Sequence, residues 1–161
     1  MRASGVVTDY ALFGAAAQMR YTDPVATLDA DVLVAVPDEN CLDALGPIYD
    51  FCRVRGYQPD GEPIRVGPLP VQFVPVFSQL TRHALAAAET AAFDGVPFRV
   101  VSAAYLAVIA LGLGGAKDHA RVLALLESEA ASRDQVAILA GQEGLSDAWK
   151  QFSRRFLDEG R

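Results

Sequence analysis

The stretch from Tyr10 to Val36 restricts the fold more than any other part of the chain. Asp29 and Asp31 stand two residues apart at the head of an unbroken apolar run, residues 32–36. Side chains two apart on a strand share a face, so the two carboxylates project together. The run behind them has no polar alternation, which predicts a strand covered on both sides. A carboxylate pair at the end of a buried strand is costly unless a cation sits between them. A divalent metal is the simplest occupant, and hard oxygen ligands suit magnesium or manganese. Upstream, residues 10–13 read as a short apolar strand, Gly14-Ala15 as a tight turn, and residues 15–21 as a short helix. Thr22-Asp23-Pro24 ends that helix, because the residue before proline avoids the helical region.

A Gly-small pair, a short helix and then Asp-x-Asp on a strand resembles the nucleotidyltransferase fold of DNA polymerase β type. The closest look is to its bacterial minimal and abortive-infection-toxin-type members. The pair there is usually Gly-Gly or Gly-Ser, and here it is Gly14-Ala15. The motif there reads Arg-x-Ser/Thr-x-Asp-x-Asp; Thr27, Asp29 and Asp31 match it, with Val25 in place of the arginine. The resemblance implies that Asp29 and Asp31 hold a metal ion bridging the phosphates of a nucleoside triphosphate. Gly14 and Ala15 would offer backbone N–H groups to those phosphates. Thr27 would either donate to a phosphate or fasten its own loop.

The resemblance also implies a third acid, in an apolar-acid-apolar-apolar-proline setting. Residues 71–75 have that setting with Gln72 in the acid's place. Glutamine is neither a base nor a charge. Either Asp60 or Glu62 reaches the site, or the second metal position and catalysis are lost with it. Lys117-Asp118-His119 resembles the Lys-Asp run beside the nucleotide in the toxin-type members. Lys117 or Arg121 would then face a phosphate, or else Asp118 caps a helix and Lys117 is solvated.

With 161 residues, 52% of them hydrophobic, the chain is long enough for one sizeable core and short for two domains. Residues 1–101 are expected to form an α/β core and residues 102–161 a helical segment packed on it. A formal net charge of −6 argues against non-specific binding to DNA or anionic membranes. Cys41 and Cys52 lack zinc spacing and read as small buried thiols. No signal-peptide core is visible. The most apolar segment, residues 105–115, falls short of the roughly 20 needed to span a bilayer. A cytoplasmic location is the expectation.

Along the rest of the chain, Asp38 is expected to cap a helix from Glu39, interrupted at Gly46-Pro47 and stopped at Gly56. Residues 63–66 and 71–76 read as antiparallel strands around a turn, with Pro75 at an edge or bulge. A helix over 81–93, a turn at Asp94-Gly95 and a short strand over 98–101 follow. Helices follow with Ser102 as cap, from Lys117, with Ser132 as cap and with Ser146 as cap, the last carrying Trp149, Phe152 and Phe156 on one face. His83 and His119 read as isolated, and Lys150, Arg154 and Arg155 as a solvated basic face. The fold class is α+β: a small mixed or antiparallel sheet of the nucleotidyltransferase type, with helices on it and a C-terminal helical cap. Residues 1–7 are expected to make half a helix at most, whereas the family that the chain resembles often has a full N-terminal helix before its Gly pair, so that edge is open or covered by a protein partner or second copy.

The resemblance implies one of two functions, and without it a third stands. One is magnesium-dependent transfer of a nucleotidyl group from a nucleoside triphosphate to a hydroxyl. Another is a catalytically degenerate binding module: a nucleotide sensor, or half of a toxin–antitoxin or defence pair. The third is an α+β scaffold unrelated to nucleotides.

Overall fold

The computed structural model describes residues 1–37 and 43–158. The expected Asp38 cap, the helix start at Glu39, Cys41 and Leu42 lie outside the described residues. The chain divides into two compact units, residues 1–17 with 24–101, and residues 18–23 with 102–161.

The first unit is built on a seven-stranded mixed sheet. Its strands are β1 (Asp9–Phe13), β2 (Ala30–Ala35), β3 (Gln58–Pro59), β4 (Ile64–Val66), β5 (Leu69–Pro75), β6 (Glu89–Phe93) and β7 (Val96–Val100). Their spatial order is β3-β4-β5-β2-β1-β7-β6, so the Asp-x-Asp strand is the central one. β2 runs antiparallel to β1 and parallel to β5. Leu33 and Val34 point to opposite faces and are both buried, at 0% and 1% exposure, so the strand is covered on both sides as its sequence predicts. On one face Val34 and Val36 pack with Val7, Ile64 and the buried side of α2 (Gly46–Val54), Ile48 and Cys52. Each such side chain contributes about 1.5–3 kcal/mol.

Gly46-Pro47 begins α2 and does not kink it. Proline costs nothing in a first turn, whose N–H groups have no helical partner, and Asp43 accepts a bond from the Gly46 N–H at 2.7 Å. Residues 1–8 make turns and no half helix. Short β4 pairs only with the first three residues of β5. Pro75 therefore sits where that side of β5 has no strand partner among the described residues.

The expected helix over 81–93 is two elements. α3 (Gln79–Ala86) is capped by Ser78 and Thr81, and ends early. Residues 89–93 are strand β6, closed onto β7 by the Asp94-Gly95 turn. Both turn residues have positive φ, 48° and 78°, the conformation that suits a two-residue hairpin.

The second unit is helical: α4 (Ala103–Leu113), α5 (Ala116–Glu127), α6 (Arg133–Gln142) and α7 (Ser146–Ser153), followed by a π-helical turn, Arg154–Asp158. α4 packs against the other three. It ends at Gly114, whose φ of 70° supplies the left-handed C-cap. Ser132 caps α6 through its side chain. Ser146 is the first residue of α7 and not its cap, which is Leu145, and Ser102 holds the cap position of α4 without a side-chain bond. Among the described residues no helix is long and apolar enough to cross a membrane.

Candidate functional site

The end of β1 and the middle of β5 flank the head of β2. The register pairs Phe13 of β1 with Asp31, and Asp31 in turn with Gln72 of β5. Paired residues on neighbouring strands share a face. Asp31 and Gln72 are therefore side by side, on the face opposite the one that Val34 and Val36 turn toward α2.

Gly14 follows Phe13 and turns the chain at φ 63° into α1 (Gly14–Gln18). A side chain there would be strained by the backbone alone. It would also have no room: a Cβ would overlap Asp31 Oδ2 and lie 3.1 Å from its Cγ. The Gly14 backbone thus rests directly against the Asp31 carboxylate. Ala15 follows, nearly buried at 8% exposure. α1 is shorter than the expected 15–21, ending where Tyr21 and Thr22 N–H both return to the Gln18 carbonyl.

Asp29 stands one residue ahead of β2, half-buried. Thr27 holds it: its hydroxyl donates to the Asp29 carbonyl at 2.8 Å and lies 3.5 Å from Asp29 Oδ1. Of the two roles open to Thr27, the loop-fastening bond is the one present.

The two acids considered as replacements for the missing third carboxylate have different fates. Asp60 is engaged by Arg65 in an exposed ion pair. Glu62 accepts from Gln72 Nε2 at 3.4 Å, which brings an acid beside the neutral residue paired with Asp31. The sequence offered no spacing rule for this contact, because it crosses from the loop before β4 to the middle of β5.

In the second unit Lys117 is exposed in the first turn of α5. Asp118 caps that helix, accepting from the Gly115 N–H at 3.2 Å. Arg121 Nε donates to Gln18 Oε1 at 3.0 Å. His83 lies 2.8 Å from Gln79 Nε2. His119 is packed between Phe152 and Phe156. Lys150 pairs with Asp147, and Arg155 is exposed, as a solvated face requires, with its guanidinium over the Phe156 ring.

A divalent metal can be weighed against these donors. Among the described residues no group of three or more His, Cys, Asp or Glu is arranged to hold an ion. Magnesium is commonly held by one or two carboxylates, with substrate phosphates and water completing its shell. Asp29 and Asp31 fit that demand for one ion. A metal pair needs further shared carboxylates, and Gln72 does not provide one.

No family model matches the chain, and no curated protein matches it. Among solved structures it is similar to an antigenic nucleotidyltransferase-like protein from Paracoccidioides brasiliensis, with a TM-score of 0.54 and 16% identity, over 88% of this chain and 84% of that one. At that identity the likeness speaks for the fold alone: the chain has a nucleotidyltransferase-like α+β fold.

Proposed function

We propose that the chain binds a nucleoside triphosphate together with one magnesium or manganese ion at the head of β2. The observation that carries this reading is the Gly14–Asp31 contact. A backbone with no side chain lies against a carboxylate at the head of the central strand, which the end of β1 and the middle of β5 flank. Asp29 and Asp31 would hold the ion, Thr27 keeps Asp29 in place, and the Gly14-Ala15 backbone borders the space for the phosphates. The ion would neutralise phosphate charge, the main requirement of nucleotidyl transfer. In this reading the protein is a degenerate relative that binds nucleotide, as a sensor or as one component of a toxin–antitoxin or defence pair, because Gln72 stands beside Asp31 without charge.

Glu62 favours a second reading. Its bond to Gln72 puts a carboxylate next to the residue paired with Asp31, and in this reading Glu62 serves as the third acid for nucleotidyl transfer to a hydroxyl acceptor.

Titration calorimetry with ATP, GTP, CTP and UTP in the presence of magnesium tests the binding. Metal-dependent binding of at least one of them, lost in Asp31→Asn and in Asp29→Asn, is expected; binding indifferent to both changes would sink the proposal. Self-labelling or acceptor-labelling with radioactive nucleotide separates the two readings. Label incorporated by the wild type and abolished by Asp31→Asn selects the enzyme.

A further inference from the structure

The nucleotide reading leaves the aromatic end of the second unit unused. α7 does not continue as an α-helix: Arg154–Asp158 winds as a π turn. Such turns are rare and recur at functional sites. Here the turn carries Arg155 and Phe156 to the neighbourhood of His119 on α5. The His119 ring centre is 5.6 Å from that of Phe152 and 5.2 Å from that of Phe156, tilted 49° and 52°. The Arg155 guanidinium lies 5.0 Å from the Phe156 ring centre.

Two cavities, of about 330 and 360 Å³, adjoin this cluster. Gly114, His119, Arg155 and Phe156 line both. Leu111, Ala148, Gln151 and buried Phe152 complete one, and Ala116, Ala120 and Leu123 the other. Among the described residues neither cavity has an acid in its lining, in a chain whose net charge is −6. The neighbouring cavity around Leu126 is different, with Glu127 and Glu129 as well as Arg133 in its lining. Aromatic and aliphatic side chains stand in these walls beside a few polar ones, Arg155, His119 and, in the first, Gln151, and such convergent polar groups fix a ligand's orientation in a small-molecule site. Arginine is the side chain best suited to grip a planar oxyanion by two parallel hydrogen bonds.

We propose that this end of the second unit binds a small anion carrying a flat unsaturated ring. Arg155 takes the anionic group, an imidazole N–H of His119 supplies a further donor, and Phe152 and Phe156 contact the ring. An aromatic carboxylate and a mononucleotide share this chemistry. The inference does not rest on the metal–nucleotide site.

The test uses the full chain bearing Asp31→Asn, in EDTA, so that the first unit's site contributes nothing. Trp149, the only tryptophan, is stacked 5.9 Å from Phe152 and reports occupancy by fluorescence, while the imidazole resonances of His119 report it by NMR. Benzoate and AMP are the probes. Acetate and inorganic phosphate are the ring-free controls, and benzyl alcohol is the charge-free one. A saturable response to benzoate or AMP is expected, roughly tenfold tighter than to the matched controls. Arg155→Gln should abolish it, and His119→Phe should weaken it several-fold, with unchanged circular dichroism in both. A response to AMP alone assigns a mononucleotide, and to benzoate alone an aromatic carboxylate. No saturable response to either, equal binding of the controls, or indifference to Arg155→Gln overturns the proposal.

Discussion

At the scale of single residues, Gly14 and Gln72 decide what the first unit can do. Gly14→Ala meets two obstacles, a left-handed backbone that costs an L-residue roughly 1–2 kcal/mol and a Cβ that collides with the Asp31 carboxylate. Urea denaturation should show a loss of at least that size, and magnesium–nucleotide binding should disappear, because Asp31 must move. Gln72→Asp is the opposite experiment. It sets a third carboxylate next to Asp31 and near Glu62, so without metal the like charges repel and stability falls. Manganese should bind several-fold more tightly than to wild type, by electron paramagnetic titration, and should restore the lost stability. Unchanged manganese affinity would mean that the head of β2 is not a metal site. The sequence showed Gly14, Asp29, Asp31 and Gln72 as a set because each belongs to a local motif. It could not show that Glu62 bonds to Gln72, or that Thr27 spends its hydroxyl on its own loop, because both depend on where loops fold back.

At the scale of elements, the sheet's seam between β1 and β7 is fastened by one polar knot. Arg99 on β7 pairs with Asp9 on β1 and donates to the carbonyls of Leu85, at 3.0 Å, and Ala88, at 3.2 Å, past the end of α3. Burial by itself would raise the Asp9 carboxyl. The hydrogen bonds from Arg99 and from the Tyr10 N–H, with the guanidinium's charge, outweigh it and leave the group below its ordinary value. A carboxylate lowered in the folded state stabilises above its unfolded pKa of about 3.9, and that stability is lost as pH falls through the folded value. Thermal melts from neutral to acid pH should therefore show wild type losing stability below about pH 4. Asp9→Asn should begin less stable and lose less across the same window. A parallel decline in both would remove Asp9 as the titrating group. The ladder that this knot holds also explains the largest misreading of the sequence. The alanines from 84 to 92 favour helix, yet Glu89–Phe93 pairs with β7 across Asp94-Gly95. Cross-strand pairing overrides intrinsic propensity, and the Asp-Gly turn was the local sign that a strand should stand on both sides of it. The π turn at Arg154–Asp158 had no such sign, because helical spacing runs on through it in the sequence.

At the scale of the whole molecule, the division of labour between sheet and helices makes nucleotide binding measurable without any assay of chemistry. A net charge of −6 argues against broad nucleic-acid affinity, so the triphosphate binding proposed above calls for a local site and a cation. A ligand that binds only the folded state stabilises it by mass action, by about 2.7 kcal/mol at a hundredfold excess over its dissociation constant. For a chain of this length each kcal/mol raises the midpoint by about 2–4 °C, which makes the expected shift about 5–10 °C. The seven-stranded sheet belongs entirely to the first unit, whereas the single tryptophan belongs to the second. The amide infrared band of the sheet therefore follows the unit that holds Asp29 and Asp31, and Trp149 fluorescence follows the other. With excess magnesium and the preferred triphosphate, the sheet transition should rise by that amount. It should stay in place with magnesium alone, with the triphosphate in EDTA, or in Asp31→Asn. A sheet transition that ignores every triphosphate, while the folded baseline is intact, would leave the Gly14–Asp31 contact as a packing solution and return the chain to the scaffold reading.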